Sequence, residues 1–197
     1  MKDKEIINHK YYYTTINFDL YNQLRLKLNE YIVLRHLVFL SKRNECENNV
    51  IKFARQLCLS RNTVYDILEK LSLENFLKEY KKGNELLYLD LDLKEMFNEE
   101  TERGVYSRVY HKHKKELKLT DIDYIILFSF YRLSIRYPSI AGFSYFNRML
   151  GIKERNYYRI IKKLSESGLI IHNSNSTSVT KNMKEWFELY NNCSKAA

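Results

Sequence analysis

The sequence predicts a mainly α protein with small β-hairpins (α+β), made of two copies of one small domain plus a C-terminal helix. Three observations carry this reading. The 197 residues include only five Gly and one Pro, which leaves few points where a helix must break. Apolar residues recur at helical spacing in three successive segments, followed by short β-rich runs bounded by turn residues. The chain also aligns on itself without a gap at a shift of 93 positions, the distance from Leu71 to Leu164.

The repeat is the strongest of the three. At that shift Leu24 and Leu26 fall on Leu117 and Leu119, and Tyr31-Ile32-Val33-Leu34 falls on Tyr124-Ile125-Ile126-Leu127. Phe53, Arg55 and Leu57 then meet Phe146, Arg148 and Leu150. Tyr65, Ile67 and Lys70-Leu71-Ser72 meet Tyr158, Ile160 and Lys163-Leu164-Ser165. The matches sit at core positions of three successive helices, where chance identity in a Leu-, Ile- and Tyr-rich chain has no reason to concentrate.

In the first copy, Tyr11 to Phe18 reads as a strand. Asn29 to Ser41 is a helix burying Ile32, Val33, Leu37 and Leu40, and Val50 to Cys58 a shorter one burying Ile51, Phe53, Ala54 and Leu57. Ser60 caps a third helix through Glu74, with Val64, Ile67, Leu68 and Leu71 as its buried stripe. Phe76–Tyr80 and Glu85–Leu91 form a hairpin across Lys81-Lys82-Gly83-Asn84. A tight turn between the second and third helices, with a hairpin after the third, is a winged helix-turn-helix.

The second copy repeats the plan. Thr120 caps a helix through Arg136 that ends at Tyr137-Pro138. Phe143 to Leu150 follows, then Gly151 in the turn, then Lys153 to Ser167 with Gly168 beyond its end. Leu169 to His172 begins the second wing, with its tip at Asn173 to Ser178. Lys181 to Asn192 is an amphipathic helix carrying Met183, Trp186, Phe187 and Tyr190. The expected organisation is residues 1–92 as the first winged-helix domain, 93–104 as an acidic linker with a helix at Leu93 to Phe97, 105–180 as the second domain and 181–197 as the C-terminal helix.

Charge points to the partner. There are 33 Lys+Arg against 24 Asp+Glu, a formal +9, and such a balance suits a polyanion. The charged beginning, Met1 to Glu5, leads into Tyr and Thr rather than a long apolar stretch, so secretion is not expected, and no apolar run reaches the length of a membrane span. Three scattered cysteines form no disulfide framework, so a cytoplasmic setting is expected. No Gly-rich phosphate loop, HExxH, GxSxG or CxxC occurs, so no enzymatic chemistry, cofactor or small-molecule ligand is expected. His111 and His113 lack a Cys or carboxylate partner at ligand spacing, and no metal is expected.

Two stretches carry a resemblance. Phe53-Ala54-Arg55-Gln56-Leu57-Cys58-Leu59-Ser60-Arg61-Asn62-Thr63-Val64-Tyr65 is similar to the helix-turn-helix of bacterial winged-helix regulators. Leu150-Gly151-Ile152 and Leu164-Ser165-Glu166-Ser167-Gly168-Leu169-Ile170 resemble the same family's turn and its helix-to-wing passage. Cys58 departs from the usual turn Gly, and Lys153-Glu154 from Ser-Arg. The paired arrangement also resembles plasmid and phage replication initiators with tandem winged helices. The resemblance implies a protein of bacteria or their mobile elements, and the Lys, Asn, Ile and Tyr bias fits a low-GC source.

Binding of double-stranded DNA would then place each third helix in the major groove. Arg61, Asn62 and Tyr65 in the first copy, and Arg155, Asn156, Tyr158 and Arg159 in the second, are the expected base readers, since Arg suits guanine and Asn suits adenine through paired hydrogen bonds. Lys81, Lys82 and Asn84 on the first wing, Lys112, Lys114 and Lys115 before the second domain, and Lys162 and Lys163 are the expected phosphate contacts. The function expected is sequence-specific transcriptional regulation. The alternatives are a replication initiator or partition factor, and a protein–protein adaptor; the apolar face of the last helix either docks a second copy as a homodimer or packs on its own domain.

Overall fold

Asn17, Asn49, Ser60 and Thr120 each turn a side-chain oxygen onto the first free amides of a helix, and these caps set where the main elements begin. The computed structural model describes residues 13–41, 45–78, 80–83, 86–99 and 105–193. Tyr11, Tyr12, Asn84, Glu85 and residues 100–104, invoked above, lie outside them. The architecture is mixed, mostly helical with small antiparallel sheets. Among the described residues, no helix is long and apolar enough to cross a membrane.

The chain divides into two units. The first holds residues up to Tyr106 together with Tyr110–Leu117; the second holds Ser107–Val109 and everything from Lys118 onward. The first unit starts with β1 (Tyr13–Asn17) and α1 (Phe18–Leu24), a helix absent from the sequence reading. Asn17 Oδ1 accepts from the amides of Asp19 and Leu20 at 2.9 and 3.2 Å, and the helix ends where Arg25 takes a left-handed conformation. Helix α2 (Leu28–Leu40) runs through the core, so its apolar residues occupy nearly every side rather than one stripe. After β2 (Glu45–Glu47), helices α3 (Val50–Leu57) and α4 (Arg61–Leu73) pack on α2 and on each other. Helix α4 buries Val64, Ile67, Leu68 and Leu71, the stripe its periodicity predicts.

Strand β3 (Leu77–Lys78) pairs antiparallel with β4 (Leu86–Leu89), matching Leu77 with Leu89 and Lys78 with Tyr88. The other edge of β4 takes β2, with Cys46 opposite Leu87, so the hairpin becomes a three-stranded sheet of order β2-β4-β3. Helix α5 (Leu91–Glu99) is the helix expected in the acidic linker, and it packs on α2. The Phe97 ring lies 5.6 Å from that of Tyr31, and the Arg35 guanidinium sits over Phe97 and donates to its carbonyl at 3.1 Å. Residues 110–117 complete this unit. The Tyr110 ring lies tilted 5.1 Å from that of Tyr13, Thr14 Oγ1 and His111 Nε2 share a 2.7 Å hydrogen bond, and α6 (His111–Glu116) packs on α3.

The second unit has the same plan. Helices α7 (Asp121–Leu133), α8 (Phe143–Leu150) and α9 (Glu154–Glu166) each begin and end 93 residues after α2 + α3 + α4 respectively, and β5 (Tyr106–Tyr110) with the start of α6 stands at the same distance from β1 and α1. The left-handed residues keep the shift too: Arg25 and Lys118, Cys58 and Gly151, Asn75 and Gly168. Helix α7 stops at Leu133, short of the expected Arg136, with Ser134 as its C-cap. Strands β6 (Ile170–Asn173) and β7 (Ser176–Val179) form a hairpin turning at Ser174-Asn175, so the return strand starts within the stretch expected to be the tip. The last helix, α10 (Lys181–Cys193), buries Met183 and Phe187. Phe187 lies 4.7 Å from Tyr131, 5.2 Å from Phe128 and 6.2 Å from Tyr124, so this part of its apolar face is used inside its own unit.

Candidate nucleic-acid interface

Helix α9 carries a dense exposed polar face. It buries Tyr157, Ile160, Ile161 and Leu164, which turns Arg155, Asn156, Tyr158, Arg159 and Lys162 outward, all exposed. Tyr157 is held inside against Phe146, with rings 5.7 Å apart and nearly parallel, and burial pushes its phenol up to about 12. The adjacent Tyr158 rests edge-on against Tyr157 at 5.3 Å and stays at the surface. A buried tyrosine beside an exposed one thereby fixes the rotation of the helix. Lys162 stands 3.8 Å from Glu166, an exposed pair of little energetic weight.

Lys163 is placed differently from the expectation. Its ammonium turns back to Asp123 Oδ2 at 2.6 Å, while Asp123 is buried and belongs to the reciprocal cap with Thr120. Leaving that carboxylate would strand its buried charge, so the ion pair opposes a turn of Lys163 toward solvent. The basic face of α9 is therefore Arg155, Arg159 and Lys162.

In the first unit, α4 turns Arg61, Asn62, Asp66 and Glu69 outward and leaves Tyr65 half-buried. Its face has mixed charge where that of α9 is basic. Ser60 Oγ accepts from the Thr63 amide at 3.0 Å, so Arg61 and Asn62 occupy the first turn. Lys81 and Lys82 are exposed on the β3–β4 connection, and the Lys82 ammonium stands 4.7 Å above the Tyr65 ring. An expected phosphate ligand and an expected base reader thus touch each other. Asn84 lies outside the described residues.

The segment before the second repeat departs most from its expectation. Lys112, Lys114 and Lys115 were expected there as phosphate contacts, yet His111, His113 and Lys114 are buried, because the segment is a helix that lays one side against the rest of the first unit. Lys114 is thus buried, whereas Lys112 and Lys115 are exposed. Burial holds the His113 and His36 imidazoles down at about 4, and that of His111 well below its ordinary range. Sequence reasoning also missed Arg55. It reaches the surface beside Cys58, Ser60 and Arg61, in a cleft that Lys115 of α6 also lines. No family model matches the chain, and neither does any curated protein with which it was compared.

Proposed function

We propose that the chain is a sequence-specific duplex-DNA-binding protein built from two winged helix-turn-helix domains, reading DNA with α4 and α9 and acting as a transcriptional regulator. The observation that carries this reading is the outer face of α9, where Arg155, Asn156, Tyr158 and Arg159 are exposed together on a helix whose other side is fixed by Tyr157, Ile160 and Leu164. An isolated charge run is most often a solvated surface. Here the cations are interleaved with an amide and an aromatic ring, the residue types that address base edges and methyl groups. The helix follows a left-handed turn residue, Gly151, and precedes a hairpin, as a winged helix-turn-helix requires.

Roles divide between the units. Helix α9, free of outward carboxylates apart from Glu154 at its start and Glu166 at its end, supplies affinity. Helix α4 carries Asp66 and Glu69, which repel phosphates, so Arg61 and Asn62 act mainly in discrimination between bases. Two unlike helices in one chain call for an asymmetric site. Selection from a random-sequence duplex pool tests the reading. Enrichment of one defined asymmetric motif is the expected result. A pool that stays random after successive rounds would overturn it and favour an adaptor that binds protein.

A further inference from the structure

Arg55 on α3, Arg61 at the start of α4 and Lys115 on α6 line one open cleft of about 490 Å³ in the first unit, together with Ile51, Ala54, Cys58, Leu59 and Ser60. Among the described residues, none of these three cations is in an ion pair, although Lys70 and Lys78 of the same unit each have a carboxylate partner. Three like charges lining one depression give it a positive potential that an anion would offset. The second unit lacks the arrangement. At the positions 93 residues on, Arg148 stands for Arg55, but Glu154 replaces Arg61 with a carboxylate.

We infer that this cleft is a phosphate site, in which Arg55, Arg61 and Lys115 hold one phosphate group against the turn between α3 and α4. Arginine forks suit phosphate oxygens in pairs, and the lysine adds a mobile point charge. The site deepens the DNA-binding reading and rests on it for the source of the phosphate, which is the DNA backbone. It also changes the role of Arg61, from a reader of bases to a clamp on the strand. The first unit, whose α4 carries Asp66 and Glu69, thereby gains a place to grip a phosphate away from those carboxylates. The same chemistry would accept the phosphate of a free small molecule, and the test separates the two sources.

Cys58 lines the cleft, is in no disulfide, and reports occupancy without any substitution. Its alkylation by iodoacetamide, followed by peptide mass mapping, is measured for the intact protein alone, with the selected duplex, and with inorganic pyrophosphate. In parallel, duplex affinity is measured across a salt series for the native chain, for Arg55→Ala/Lys115→Ala, and for Lys52→Ala as an exposed cation outside the cleft. The expected result is that the duplex slows Cys58 alkylation several-fold. The double variant then loses the protection and about two from the slope of log affinity against log salt, while Lys52→Ala keeps the protection.

Protection by pyrophosphate but not by DNA would keep the cleft as a phosphate site and overturn the backbone as its source. If the chain binds no duplex, the same pyrophosphate arm still decides the cleft while the DNA reading falls. Tight duplex binding with unprotected Cys58 and an unchanged slope in the variant would overturn the cleft and leave the DNA reading standing. Should the double variant misfold, the footprint on the native chain decides alone.

Discussion

The Lys163 ammonium lies 2.6 Å from the carboxylate of Asp123, and 93 residues earlier the Lys70 ammonium lies 2.8 Å from that of Glu30. Each carboxylate is buried at the start of the first long helix of its unit, and each also receives a backbone amide there, from Thr120 and Lys27 respectively. The pair therefore ties the third helix of each unit to the capped end of the first. Replacing Asp123 by Ala removes the lysine's partner and half of a capping box together, and is expected to destabilise the second unit by about 2–4 kcal/mol. Denaturant unfolding followed by hydrogen exchange in α7 and α9 checks it. Lys163→Ala should likewise weaken the fold while leaving the salt dependence of the proposed DNA binding unchanged, since Asp123 holds its ammonium.

Phe187 closes the second unit. It is fully buried among Tyr124, Phe128 and Tyr131, so Phe187→Ala should cost about 3–5 kcal/mol and release α10 from the domain. Trp186 fluorescence and exchange along α10 report the release. If α10 instead served chiefly to join two copies, the variant would change the oligomeric state at unchanged domain stability.

The Lys82–Tyr65 contact is expected to be a weak latch. At a surface position a cation over a ring contributes about 0.5–1 kcal/mol. Tyr65→Leu should therefore speed amide exchange in the β3–β4 hairpin with little change in global stability, while Tyr65→Phe, which keeps the ring, should not. Equal exchange in all three proteins would show that the hairpin is ordered without the contact.

Acid should weaken the first unit before the second. His36 packs edge-on against Phe53, with Gln56 and Lys52 of α3 about it. His111 faces Thr14, Lys114 and His36. Burial favours the neutral form of both, and of His113. The unfolded chain takes up protons near the ordinary histidine value, about 6.5, whereas the folded unit resists until about 4 at His36 and His113. Stability is thus complete above the unfolded value and is lost as pH falls from there toward 4. For a group like His36 the loss reaches roughly 2 kcal/mol by pH 5. Hydrogen exchange at pH 5 and pH 7 should show opening concentrated in α2, α3 and α6, with α7 and α9 little changed. His36→Gln should blunt the effect.

The long helices were legible because burial imposes its period on the residues. The stripe Val64, Ile67, Leu68, Leu71 and its counterpart Tyr157, Ile160, Ile161, Leu164 appear in the sequence as they do in the core. The 93-residue shift reads directly as matched element boundaries. Short elements carried too little period to be seen. Helix α1 is seven residues and β2 three, and α6, six residues of His, Lys and Glu, reads as solvated charge until its neighbours show which side is covered.

Site residues were harder for the same reason. Sequence places Lys114 and Lys163 on basic stretches, but only packing shows that one is buried and the other bound to Asp123. Arg55 and Lys115 are sixty residues apart in the chain and share a cleft only once α6 has packed on α3.

The proposed grip of α9 on duplex DNA rests on its exposed Arg155 and Arg159. The most direct test is the affinity of Arg155→Ala/Arg159→Ala for the selected duplex over a salt series, beside the native chain. The expected result is a slope of log affinity against log salt smaller by about two, weaker binding, and relaxed preference at the bases these residues face. Native affinity, slope and preference in a folded double variant would contradict it.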